Sequence, residues 1–127
     1  MNSVSIIGTL KKEPVFESND RGDLTAFFSV IIPGKISNEI ECTAYGGPCE
    51  AIEAMLERGE IEAGDTLAVM GGIQSRDVTD ADGYTHAAGY VRANRVELVR
   101  KQTAADKYPG LRQPSYSRIY FGGSRRY

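Results

Sequence analysis

The chain has no tryptophan, a single histidine and two cysteines among its 127 residues. Each scarcity excludes something. With His86 the only histidine, a His/Cys zinc cluster cannot be assembled, and no triad can draw on a second imidazole. Cys42 and Cys49 read as two buried, reduced thiols rather than a disulfide or a metal site. No apolar run approaches the roughly 18 residues of a membrane span, and Met1-Asn2-Ser3-Val4 leads with no basic region into an apolar stretch. The expected setting is therefore cytoplasmic, with no signal peptide. Phosphate-loop and nucleophile-elbow motifs are absent as well, and the pair Asp80/Asp82 reads as turn chemistry. These absences lead away from an enzyme and from any cofactor, metal or small-molecule substrate.

What is present is charge divided along the chain. Residues 1–99 carry eight Lys/Arg against sixteen Asp/Glu, a balance of −8, whereas residues 100–127 carry seven Lys/Arg against Asp106 alone, a balance of +6. The formal net charge of −2 conceals an acidic body and a basic tail.

The body alternates apolar and polar residues over short segments, at 3–10, 24–32, 39–46, 65–76 and 84–99, which predicts five strands. Over 24–32, Leu24, Ala26, Phe28, Val30 and Ile32 share one face, and Thr25, Phe27, Ser29 and Ile31 the other. Apolar residues on both faces predict burial on both, under a subunit contact or a ligand groove. Gly8 allows a bend in the first strand, and Pro14 stops it. The segment G-G-P-C-E-A-I-E-A-M-L-E-R-G predicts a helix with Pro48 at its first position and Gly59 at its exit, burying Cys49, Ile52 and Leu56. Glu50, Glu53 and Glu57 read as its solvated face, the early glutamates favouring the N-terminus. Gly71-Gly72 predicts a bulge or sharp bend, and Asp82-Gly83 a positive-φ turn rather than a calcium loop. Three strands, a helix and two strands form the order of an OB-fold, an all-β five-stranded barrel, over residues 1–100. Residues 101–127, rich in Tyr, Arg, Gly and Pro, cannot build a core.

Four blocks sharpen this reading. N-S-V-S-I-I-G-T-L-K-K-E-P from Asn2, A-F-F-S-V from Ala26, E-C-T-A-Y-G from Glu41 and G-D-T-L-A-V-M-G-G-I from Gly64 resemble, in that order and spacing, the bacterial and phage single-stranded-DNA-binding protein family. The resemblance covers residues 1–99. It implies a non-catalytic protein of replication, recombination and repair that coats unpaired DNA in the nucleoid, as a homo-oligomer with a tetramer favoured. A family aromatic falls on Tyr45 and a family arginine on Arg76. Two family tryptophan positions fall near Glu39 and Val78, and the family's acidic, aromatic-tipped end is replaced by Ser124-Arg125-Arg126-Tyr127.

Binding unpaired strands requires cations for phosphates and flat rings for bases. The candidate nucleic-acid residues are Tyr45, Arg76, Lys11, Lys12, Arg21, Lys35 and Tyr84. Tyr45 either stacks on a base or packs at the rim, Phe27 faces a groove or, preferably, a subunit contact, and Tyr84 and Tyr90 are half-buried strand rings by default. Arg92 and Arg95 fall on opposite faces of a regular strand. In the tail, Arg112, Tyr116, Arg118, Tyr120, Arg125 and Arg126 contact either DNA or an acidic neighbouring subunit. The second possibility defines an alternative function, an assembly module whose barrel contacts protein.

Overall fold

Alternation of apolar and polar residues carries through to the computed structural model, which describes residues 1–34, 36 and 38–103. In chain order the elements are β1 (Val4–Leu10), β2 (Val15–Ser18), β3 (Leu24–Ile32), β4 (Asn38–Tyr45), α1 (Gly46–Glu57), β5 (Thr66–Thr79) and β6 (Thr85–Arg100). The strands form one sheet in the order β1-β5-β6-β4-β3-β2, and β1 also pairs with β3. Five strands, β1, β5, β6, β4 and β3, thereby close into a ring. Every pairing is antiparallel except β4–β6, which is parallel.

The ring is filled from its inward positions, among them Leu10, Ala26, Phe28, Val30, Leu67 and Val69, all buried. α1 lies against β3, β4 and β6 and adds Cys49 and Ile52 to this core, while Leu56 is only partly buried. Both cysteines are free and buried. Burial, helped by the neighbouring Glu41 charge, pushes the Cys42 thiol up to about 12, and burial also raises Cys49, so neither is a ready nucleophile.

Three departures from regularity shape the surface. First, β1 does not end at Pro14. It leaves β5 for β3 at Thr9↔Ile31 and Leu10↔Val30, and β2 resumes the same ladder at Val15↔Phe27. Lys11 to Pro14 thus stand opposite only Phe28 and Ser29, a bulge pinned by the Lys11 N–H donating to the Ser29 carbonyl at 3.0 Å. The sequence predicts no strand between residues 10 and 24. A four-residue edge strand is too short to show a period, and its pairing with β3 creates it. The crossing of β1 over β3 is close enough that a Cβ on Gly8 would lie 2.7 Å from the Ile31 carbonyl oxygen.

Second, β6 is longer than its partner and bulges twice. Met70 pairs with Arg95 but Gly71 with Ala93, leaving Asn94 unpaired, and Thr66 pairs with Arg100 but Leu67 with Leu98, leaving Val99 over. The first bulge is the irregularity expected at Gly71-Gly72, and a Cβ on Gly71 would fall on the Arg92 carbonyl oxygen. It corrects one expectation. Because a residue is inserted between them, Arg92 (opposite Gly72) and Arg95 (opposite Met70) share the outward face.

Third, α1 begins two residues before Pro48, and its first turn holds no acidic residue. Pro48 is accommodated there because the first helical N–H groups lack intrahelical partners. Glu50 lies beyond that turn and does not serve the N-terminus. Gly59 ends the helix as expected, at φ +70°. The β5–β6 turn also follows expectation: Gly83 has φ 87°, and Asp80 Oδ1 accepts from the N–H groups of Asp82 and Tyr84 at 3.0 Å each.

Asp65 sits just before β5 and is wholly buried. Its Oδ2 accepts from Lys101 Nζ at 2.8 Å and from the Glu62 N–H at 2.9 Å, and its Oδ1 from the Gln102 N–H at 2.8 Å. Burial alone would raise this carboxyl, but these hydrogen bonds outweigh it and hold the value below the ordinary one. Lys101 and Gln102 are therefore fastened to the body.

Candidate functional site

The outward face of β3 and β4 is a ladder whose successive rungs are Ile31↔Glu39, Ser29↔Glu41, Phe27↔Thr43 and Thr25↔Tyr45. Two depressions lie on it in line. One, of about 260 Å³, spans the middle rungs, with Phe27, Ser29 and Thr43 beneath and Lys11, Lys12, Glu39 and Glu41 around it. The bulge at Lys11–Pro14 carries the two lysines to this position. The other, of about 690 Å³, lies at the Thr25↔Tyr45 rung and brings Arg21, Tyr45 and Arg92 together beside the start of α1.

The cations of this face are held by exposed partners. Lys11 Nζ meets Glu39 Oε1 at 2.8 Å, and that hydrogen bond is the main reason the Glu39 carboxyl lies below its usual range. Arg76 reaches across to Glu41 and lies over the Tyr90 ring, 5.4 Å from its centroid, while the Tyr90 hydroxyl donates to Gln74 Oε1 at 2.9 Å. Arg21 meets Asp23 only at 3.9 Å. Ion pairs this exposed contribute about 0–1 kcal/mol, so an incoming polyanion can exchange for the carboxylates. Arg92 lies over the Tyr45 ring at 4.8 Å, and Tyr45 remains 38% exposed.

Of the residues singled out in the sequence, Lys11 and Lys12 share the first depression, Tyr45 and Arg21 the second, and Arg76 joins the face through Glu41. Tyr84 does not join them. It stands in the β5–β6 turn, 73% exposed. Lys35 lies outside the described residues, as do Arg112, Tyr116, Arg118, Tyr120, Arg125 and Arg126. Phe27 is half-buried and forms part of the first depression's floor. The regular-strand argument allows only one of Arg92 and Arg95 in a given groove, although the apolar positions Val91, Ala93 and then Val96 carry the signal of a skipped residue. The contact of Arg92 with Tyr45 comes from the parallel β4–β6 pairing, Thr43↔Arg92, which local sequence does not reveal.

Thr43 is the face's one anomaly. It is 3% exposed, and its hydroxyl has no hydrogen-bond partner among the described residues. Among the described residues no group of His, Cys, Asp and Glu could hold a metal ion, and no helix is long and apolar enough to cross a membrane. No protein-family model matches the chain, and no curated protein matches it significantly.

Proposed function

We propose that the chain is a non-catalytic single-stranded-DNA-binding protein built on an OB-fold barrel, acting in replication, recombination or repair. The observation that carries this reading is the pair of aligned depressions on the β3–β4 face, in which Lys11, Lys12 and Phe27 precede Arg21, Tyr45 and Arg92. The second depression sets Arg21 and Arg92 beside the Tyr45 ring, and the first adds the Phe27 ring with two lysines whose charge is offset by Glu13, Glu39 and Glu41. Rings on successive rungs with cations at one end suit a strand of alternating bases and phosphates. The acidic body does not oppose it. At working salt, charges interact over roughly 8–10 Å; Glu53 and Glu57 line neither depression, and in the second one Asp23 and Glu50 stand against Arg21 and Arg92, so the charge there is balanced. Assembly into a homo-oligomer, with a tetramer favoured, is part of the proposal. Ile7 on the outward side of β1 is 56% exposed, opposite Ala68 of β5, an apolar position that a second copy would cover.

Fluorescence anisotropy of a labelled poly-dT oligonucleotide tests the reading. Tight binding that weakens as salt rises, with duplex bound more weakly, is the expected result. No change at low salt and micromolar protein overturns it.

One observation favours the assembly reading. Glu50, Glu53 and Glu57 have no cation partner among the described residues, and the basic tail is of opposite sign. Truncation after Thr103, which keeps the Asp65 partners, separates the two. Lost DNA affinity with an unchanged mass places the tail on DNA, and unchanged affinity with a smaller assembly places it on protein.

A further inference from the structure

Resting on the single-strand reading, we propose that the depression over Phe27 and Thr43 is a pocket for one base of the strand, and that it favours bases with an exocyclic amine over thymine. Its surroundings argue against a phosphate. Lys11 and Lys12 are outnumbered by Glu13, Glu39 and Glu41, so a charged group entering it would meet a negative balance. A neutral ring meets something else: the half-buried Phe27 side chain and a rim of mixed donors and acceptors, with Lys11 already paired to Glu39.

The acceptors set the preference. An ionised carboxylate accepts hydrogen bonds and donates none. Glu41 binds Arg76 through Oε1, and its Oε2 has no partner among the described residues. With its side chain 56% exposed, Glu41 leaves that oxygen open to a donor from the ligand. Cytosine offers its 4-amino group, adenine its 6-amino group and guanine its 2-amino group with N1–H, and pairing of an acidic side chain with the cytosine amine is a known mode of base readout. Thymine has a single N–H set between two carbonyls, and those carbonyl oxygens would face the carboxylates. The buried, unpartnered Thr43 hydroxyl lines the same pocket and can either donate or accept. Sites built to satisfy a ligand's donors discriminate against analogues that lack them.

The test compares equal-length poly-dC, poly-dT and poly-dU on the full-length protein by fluorescence anisotropy at fixed salt. Poly-dU separates the amine from the thymine methyl. The expected result is poly-dC bound about five- to tenfold more tightly than both others, with the ratio falling to within about twofold in Glu41→Ala and in Glu39→Ala. Glu41→Gln, which keeps the shape but offers a donor as well as an acceptor, should also lower the ratio. Equal affinities in the wild type, or a ratio that survives both alanine variants in folded protein, overturns the inference. Binding to none of the three polymers overturns the single-strand reading itself.

Discussion

The guanidinium of Arg92 lies 4.8 Å from the centre of the Tyr45 ring, joining two strands that are far apart in sequence and paired in parallel. The contact fixes the ring at the rim of the larger depression and puts a positive charge behind it. Tyr45→Ala should lower poly-dT affinity by about 1–3 kcal/mol without unfolding the protein. Arg92→Ala should lower it too, and the double variant should lose less than the two losses combined, since each residue positions the other. Anisotropy titrations with a thermal melt of each variant check this. A Tyr45→Ala protein that melts far lower and binds normally would make the ring structural.

Phe28 occupies the opposite side of the same strand from Phe27, inside the ring and 7% exposed. Phe28→Ala should cost about 3–5 kcal/mol of stability. Denaturant unfolding followed by circular dichroism reads this loss.

Gly71 has no room for a side chain, because the Arg92 carbonyl occupies the place of its Cβ. Gly71→Ala should destabilise by about 1–3 kcal/mol as the β5–β6 bulge shifts. Since that bulge sets the face of Arg92, affinity should fall with stability, whereas Gly83→Ala, at the far turn, should affect the hairpin alone. Paired melting and binding curves distinguish the two.

Asp65 predicts a pH dependence. Its carboxyl is held below the ordinary value, so the stability it contributes is fully present above about pH 4 and is lost as pH falls through the lowered folded value. Asp65→Ala, which removes the acceptor of the Glu62 and Gln102 N–H groups and leaves Lys101 only its longer contact with Glu62, should cost about 2–4 kcal/mol at neutral pH. Melting temperatures at pH 7, 5 and 3 should drop more steeply for the wild type than for the variant.

The alternation over 24–32 and the helix spacing of Cys49 and Ile52 are properties of neighbouring residues, and both were legible in the sequence. β2 was not, because four residues ending in Glu17-Ser18 gain strand character only from pairing with β3. Asp65 reads like one more surface acid of an acidic stretch, since two of its three partners lie 36 and 37 residues away. The site was half legible. Lys11, Lys12, Arg21 and Tyr45 could be named from the sequence, but their grouping into two depressions depends on a bulge and a parallel pairing that local pattern does not encode.

The ring's closure is uneven. β5 and β6 are paired continuously from Thr66 to Thr79, but β4 meets β6 only at Cys42↔Val91 and Thr43↔Arg92. Such a seam should be among the first places to open in local fluctuations, and amide hydrogens along it should exchange ahead of those in the β5–β6 ladder. Tyr45 and Arg92 stand on its two sides. A ligand resting on both would act as a fastener, slowing exchange across the seam far more than elsewhere, and raising the melting temperature with the logarithm of its concentration above Kd.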